Sequence, residues 1–316
     1  MMWKASVILP CYNGPRWIAD AVESVLAQTY EDFELVMIDD GSTDNSKEIV
    51  ASYLCDERAR YIYQENRGFS AAVNRGIRES RGSLIGFIGQ DDLWMPNKLE
   101  LQVEYLRDHN SVDLVHSNYC TIDSEARLVR VRDIRMPEAT SNKELVKELF
   151  LTNFIGFETV LVKKRCFDEV GLFDEQMVGS SDRDMWLRIA GKFNIGYIDI
   201  PLVKKREHKG QVSKVYAEAM IKDKFLMVKK AVVSYPFLKK VERKLLSSLY
   251  YSWGIVLLQK GNKKKAIQKF LQAIKCQPLK IKAVMAYLSP DIYTVIWDRY
   301  QKTSAEVHRG LRWIEG

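Results

Sequence analysis

The sequence predicts an α/β fold, with a mostly parallel sheet flanked by helices and then an all-helical C-terminal region. Three observations carry this prediction. Short apolar runs alternate with amphipathic stretches through roughly the first 117 residues. Carboxylates follow directly on two of those runs, at Asp39-Asp40 and at Asp91-Asp92, where an open parallel sheet collects its ligands. Beyond about residue 214 only helical periodicity remains.

Each element has a local reason. Ala5 to Leu9 is an apolar strand, and Pro15 suits the first turn of a helix reaching about Thr29. Phe33 to Ile38 is a second strand, and Ser42 or Thr43 caps a helix from Asp44 to Cys55. Arg60 to Tyr63 is a third strand, followed by a helix from Phe69 to Ser80. The run from Ser83 to Gly89 is a fourth strand; Leu93 to Pro96 opens a helix reaching about His109, and Val112 to Val115 is a fifth strand. Repeated βα units of this length require right-handed crossovers and a parallel sheet. From about 120 to 205, hairpin-like strands (Leu128 to Val131, Thr159 to Val162) mix with helices (Asn142 to Phe150, Asp184 to Phe193). The expected division is one domain over 1–213, its two halves meeting at about 117, then a helical region over 214–316. Gly254, Ala266, Phe270, Ala273 and Pro278 fall at the spacing of one tetratricopeptide-like hairpin at about 247–280, with its turn at Lys260 to Lys263.

With 47% hydrophobic residues the 316-residue chain can bury a core. No clean apolar stretch of about 18 residues indicates a transmembrane helix, and the first ten residues do not read as a signal peptide. Five scattered cysteines without a Cys-x-x-Cys pair suit a reducing compartment and argue against structural zinc. Residues 203–282 hold 21 Lys/Arg against 4 Asp/Glu, a surplus of 17; the whole chain is +7, so the rest carries −10. The basic part suits an anionic contact, the acidic part a metal and polar-ligand site.

Adjacent carboxylates at Asp91 and Asp92 repel unless a proton or cation relieves them, and a divalent metal bridging to phosphate oxygens does so. Asp40, at the end of the second strand, is suited to accept an N–H from a nucleobase. Asp182 opens a helix, where the dipole favours its ionised form, and an ionised carboxylate in a cleft acts as a general base on a hydroxyl. Arg206 and His208, in the basic stretch 204–213, are suited to neutralise a departing diphosphate. Taken singly, each also reads as a helix cap or a solvated turn.

Taken together, Val7 to Asn13, Ile38 to Asp44, Asn66 to Gly76, Gln90-Asp91-Asp92, Val170 to Glu175 and Asp182 to Arg188 resemble the successive motifs of the family 2 glycosyltransferases, over roughly residues 4–213. The resemblance implies the Rossmann-like GT-A fold and an inverting single displacement from a nucleotide-diphosphate sugar, UDP foremost, to an acceptor hydroxyl. It implies Pro10 and Tyr12 bordering the nucleobase, Asp40 bonding it, and Asn74 in the nucleotide pocket. Asp92 is expected to bind Mn²⁺ or Mg²⁺, with Asp91 near ribose and metal, Asp182 is the base, and His208 lies beside the diphosphate. The chain departs from the pattern at Gly89, where relatives carry Asp, at Ser181, where they carry Glu, and at Val73, where they carry Arg.

The family's bacterial members often act on lipid-linked carriers, so the expected acceptor is a saccharide or lipid-linked saccharide in polysaccharide or glycolipid synthesis for the cell envelope. The expected location is cytoplasmic, with peripheral contact to anionic lipid through residues 203–300, including Tyr287, Tyr293, Trp297 and Tyr300. Nucleic acid fits poorly, because the lysines come without a base-stacking platform. A nucleotidyltransferase would want a glycine-rich basic loop near the N-terminus, where only Arg16 stands. The alternative from another class is a catalytically silent nucleotide-sugar-binding or scaffold protein acting through its helical tail.

Overall fold

A computed structural model describes residues 5–131, 134 and 136–277. Pro278 and the aromatic stretch 287–300 lie outside these residues. The chain divides into two compact units, Met1–Tyr216 and a second from Ala217 onward.

The first unit is built on one mixed sheet. Strands β1 (Ala5–Cys11), β2 (Phe33–Asp39), β3 (Ala59–Tyr63) and β4 (Leu84–Phe87) are apolar runs, and β1, β2 and β4 are buried along their whole length. They pair in parallel in the order β3-β2-β1-β4. Helices α1 (Ile18–Leu26), α2 (Ser46–Ala51) and α3 (Phe69–Glu79) make the crossovers. Gly76 is what lets α3 lie so close to β1, since a Cβ there would stand 2.4 Å from Ile8 Cγ2. Residues 15–17 form a turn, so α1 starts three residues after Pro15, and α2 is shorter than the expected 44–55.

The sheet then departs from the expected parallel pattern. Leu93 and Trp94 open no helix; they form the two-residue strand β5, and the helix α4 starts at Lys98 and ends at Asp108. Strand β6 runs eleven residues, Val112–Ile122, well beyond the expected Val115, and pairs at its end with β7 (Leu128–Val131). After α5 (Asn142–Leu151) and a single 3₁₀ turn at Phe157–Thr159, strand β8 (Leu161–Lys163) inserts antiparallel between β4 and β6. Helices α6 (Arg165–Val170) and α7 (Ser181–Ala190) follow. The stretch read as a basic loop from 204 instead completes the thirteen-residue strand β9 (Asn194–Arg206), parallel to β6 and antiparallel to β5. Its sequence shows no clean two-residue alternation: Leu202 and Val203 are both buried, Lys204 and Lys205 are partly exposed, and Arg206 is buried. A four-residue helix α8 (Val212–Val215) ends the unit.

Two antiparallel steps, β4 to β8 and β8 to β6, bring β6 and β9 back to the direction of β1. The carboxyl ends of β1, β2, β4, β6 and β9 therefore share one edge. The register Leu93↔Lys204 sets Asp91 and Asp92 beside Lys205 and Arg206 on that edge.

The second unit consists of α9 (Ala217–Ser234), a 3₁₀ turn at Pro236–Leu238, α10 (Lys239–Gln259) and α11 (Lys263–Cys276). Helices α10 and α11 form a hairpin around Leu257, Ala266, Phe270 and Ile274. Asn262 caps α11 by accepting from Lys265 N. Among the described residues no helix is long and apolar enough to cross a membrane.

Candidate active site

The loops after β1 and β2 are stitched together before any ligand is considered. Asn13 donates its N–H to Ser42 Oγ at 3.1 Å, and its Oδ1 accepts from Thr43 N at 2.8 Å. Pro10 is buried inside β1, while Tyr12 is 46% exposed at the edge. Tyr12 N donates to Gln90 Oε1 at 2.8 Å, and Gln90 Nε2 donates back to Tyr12 O at 3.1 Å. That two-bond bridge ties the Asp91-Asp92 turn to the end of β1.

Asp40 is buried, and its carboxylate is the hub of the 64–68 turn. It accepts from Gln64 Nε2 at 2.7 Å, Arg67 N at 2.9 Å and Gly68 N at 2.8 Å. Gly41 beside it has φ +82°, and Asn66 N would stand 2.7 Å from any Cβ there, so the turn needs a glycine. Asn74, on α3, commits its whole amide to another turn. Its Nδ2 donates to Phe173 O and Glu175 Oε1, both at 2.9 Å, and its Oδ1 accepts from Phe173 N at 2.9 Å. Asn74 therefore acts on its surroundings by fixing the 173–175 turn.

Asp91 and Asp92 have separate fates. Asp91 Oδ2 meets His208 Nε2 at 2.9 Å, and the His208 ring packs 4.3 Å from that of Trp17. Asp92, expected as the metal ligand, is 2% exposed, accepts from Arg206 N at 2.8 Å and shares a side-chain hydrogen bond with Glu158. Burial, then the charges of Glu158 and Asp91, push its carboxyl well above the ordinary range, which favours its neutral form. Asp92 is thus a buried strut, and the accessible carboxylate of the pair is Asp91.

Arg206 also differs from expectation. Its guanidinium, placed beside the diphosphate on sequence grounds, is 1% exposed and fully engaged. It donates to Asp91 O at 2.9 Å, Ser124 O at 3.2 Å and Asp20 Oδ2 at 3.1 Å. It is a brace across the end of β9, not a free cation facing a ligand.

Asp182 stands in the first turn of α7, whose start is pinned to α3 by Ser70 Oγ, 2.8 Å from Ser181 Oγ. Its carboxylate accepts from Arg183 N at 2.7 Å and Asn153 Nδ2 at 3.2 Å. Burial raises its pKa, with Glu158 adding to that, and outweighs the Arg183 N–H, Lys205 and Asn153, which favour the ionised form. The net direction is opposite to the one the helix dipole alone suggests.

Sequence reasoning missed Glu158 and Lys205. Lys205 Nζ pairs with both Glu158 oxygens, at 3.0 and 3.2 Å. Burial alone would raise the Glu158 carboxyl, yet Lys205, a backbone N–H and the hydrogen bond with Asp92 hold it below its ordinary value. One charged residue inside the apolar run Phe154 to Val162 was the available signal, because an unpaired buried carboxylate is too costly to stand there by accident.

Among the described residues no group of three or more His, Cys, Asp or Glu is arranged to hold a metal ion. The Asp91–His208 pair nevertheless fits a divalent cation, offering one carboxylate oxygen and one imidazole nitrogen side by side. Such ions commonly take only one or two side chains and complete their shell with phosphate oxygens and water.

Comparison with known proteins bears on the family and the fold. A glycosyltransferase of Rickettsia felis, itself uncharacterised, is 34% identical over 203 residues, which are 64% of this chain and 33% of that protein. Another from Rickettsia typhi is 32% identical over 211 residues, 66% of this chain and 65% of that protein. The chain thus spans a third of the length of the first and just under two thirds of the second. Among solved structures, S. aureus TarS 1–349 in complex with UDP superposes with a TM-score of 0.62 at 17% identity, over 95% of this chain and 92% of that one. The mannosyltransferase PcManGT from Pyrobaculum calidifontis, in complex with GDP-Man and Mn²⁺, gives 0.58 at 17% identity, over 98% and 83%. These likenesses show the GT-A fold. The model of the family described as glycosyl transferase family 2 matches residues 6–171, more than half of the chain and every element from β1 to β8, and the chain belongs to that family.

Proposed function

We propose that this glycosyltransferase moves a sugar from a nucleotide diphosphate to an acceptor hydroxyl with inversion at the anomeric carbon. The observation that carries the reading is two acidic groups, one at the carboxyl edge of the sheet and one in the first turn of α7. Asp91 with His208 forms one. Asp182 forms the other, within electrostatic reach of the Lys205–Glu158 pair that also holds Asp92.

The division of labour follows from proton affinity and exposure. Asp91 and His208 would hold Mn²⁺ or Mg²⁺, and a cation bound there would neutralise the leaving group's charge. Asp182 takes the proton of the acceptor hydroxyl as its oxygen attacks the anomeric carbon, and the bond to the diphosphate breaks on the opposite face. Burial raises the affinity of Asp182 for that proton, which strengthens it as a base. Tyr12 and Pro10 border the nucleobase, Asp40 shapes that wall through the 64–68 turn, and Asn74 does so through the 173–175 turn. The complex of TarS with UDP-GlcNAc supports a uridine donor, and PcManGT with GDP-Man and Mn²⁺ supports the metal. The domain limits 1–213 and 214–316, a polysaccharide or glycolipid product, a cytoplasmic site and contact of the basic helical region with anionic lipid belong to the same proposal. The surplus of lysines over acids in that region supports the lipid contact.

The test is calorimetric titration with UDP, GDP and dTDP, with and without Mn²⁺, on the wild type and on Asp182→Asn. Metal-dependent binding of one diphosphate to both proteins, with turnover abolished only in the variant, is the expected result. Near-wild-type turnover by Asp182→Asn overturns the base assignment. Absence of diphosphate binding under every condition overturns the reading as a whole.

A further inference from the structure

We propose that Trp17 is a positioning residue for the Asp91–His208 pair: its indole holds the His208 imidazole against Asp91 before any cation arrives. The proposal rests on the reading of that pair as the cation site, and Trp17 acts on the site through His208.

Three segments far apart in sequence meet here. Trp17 stands just before α1, Asp91 follows β4 and His208 follows β9. Backbone pairing holds the chain up to Glu207, whose N–H donates to Ile122 O at 2.8 Å. Lys209 and Gly210, just beyond His208, are exposed. The His208 side chain between them is nevertheless only 13% exposed. Two contacts draw it inward. Its Nε2 meets Asp91 Oδ2 at 2.9 Å, and its ring lies 4.3 Å from the Trp17 ring at a tilt of 45°.

Trp17 is itself held in place. Its Nε1 donates to Ser124 O at 3.3 Å, in the turn between β6 and β7. The guanidinium carbons of Arg16 and Arg206 lie 4.6 and 5.5 Å from the centre of its ring, close enough for a cation–π attraction. Arg206 is in turn fixed to Ser124 O and Asp20. A ring anchored in this way is a wall that restricts the rotamers of an imidazole packed on it. That restriction counts most where side-chain ligands are few. A cation held by one carboxylate and one imidazole binds more tightly when those groups need not be ordered on binding.

The test measures free Mn²⁺ by electron paramagnetic resonance during titration of the full chain, without donor or acceptor. Trp17→Ala is expected to weaken Mn²⁺ binding by about tenfold or more. Trp17→Phe, which keeps a ring but not the N–H, is expected to restore most of the affinity. Circular dichroism establishes that each variant is folded, and Trp17→Leu, apolar but ringless, replaces Trp17→Ala if that variant is not. A second readout uses metal-free protein. The His208 ring protons are identified among the four histidines by the loss of their NMR signals in His208→Ala. The indole ring current should displace them in the wild type, and the ringless variant should return them toward the position of an exposed histidine. Wild-type Mn²⁺ affinity in the ringless variant, equal losses with phenylalanine and without a ring, or unmoved His208 signals overturn the proposal. Failure of the wild type to bind Mn²⁺ overturns the reading of the cation site instead, and the His208 signals then decide whether Trp17 positions the imidazole.

Discussion

Asp91 Oδ2 and His208 Nε2 lie 2.9 Å apart, although 117 residues separate them along the chain. The contact exists because Gln90 ties its turn to Tyr12 while the β5–β9 register carries the end of β9 to the same place. If this pair holds the dication, His208→Ala and Asp91→Asn should each raise the Mn²⁺ concentration needed for half-maximal turnover by about tenfold or more. The double variant should be little worse than either single one, since both act on one site. A His208→Ala enzyme with an unchanged Mn²⁺ requirement would show that the imidazole serves some other purpose.

Asp182 makes a prediction about pH. The base works ionised, and burial raises its pKa above the ordinary aspartate value. Turnover should therefore fall as pH drops through that raised value, placing the acid limb above the range of an exposed aspartate. The stability sign runs the other way. A carboxyl whose folded-state pKa is raised favours folding below its unfolded pKa, and that contribution is lost as pH rises through the folded one. Asp182→Asn, neutral at every pH, should melt no lower than the wild type near neutrality while losing about a hundred- to ten-thousand-fold in turnover. Thermal melts at several pH values, set beside the rate profile, check both signs.

Arg206 offers a test of strut against ligand-facing cation. Its buried guanidinium joins Asp91 O, Ser124 O and Asp20. Arg206→Ala leaves the Asp91 and Ser124 carbonyls without this donor and should cost about 1–3 kcal/mol of stability. A cation merely facing the diphosphate would instead leave the melting temperature alone and weaken nucleotide binding. Denaturant unfolding of the apo protein distinguishes the two.

What the sequence revealed and concealed follows from range. The strands β1, β2 and β4 were legible as short apolar runs, and the carboxylates after β2 and β4 stood out because an apolar run leading into Asp-Asp is a local signal. The α10–α11 hairpin was legible for the same reason, through Gly254, Ala266 and Phe270. Strand β9 was not, because three consecutive basic residues look solvated until β6 and β5 flank them. Asp91 and Asp92 could not be told apart from spacing alone. Which one faces the cleft depends on Glu158 and Arg206, distant residues that claim Asp92.

The hairpin of the second unit carries a prediction of its own. A Cβ on Gly254 would stand 2.4 Å from Phe270 Cε1, and Phe270 is fully buried. Helices α10 and α11 approach this closely only because position 254 has no side chain. Gly254→Val should therefore destabilise the unit by about 1–3 kcal/mol through overpacking. Phe270→Ala should cost about 3–5 kcal/mol through the cavity it leaves. The two defects are complementary, since valine at 254 points into the space the ring vacates. The double variant should be more stable than the sum of the single losses implies, a coupling that denaturant unfolding of all four proteins measures. Strict additivity would mean that the glycine and the ring do not share a contact.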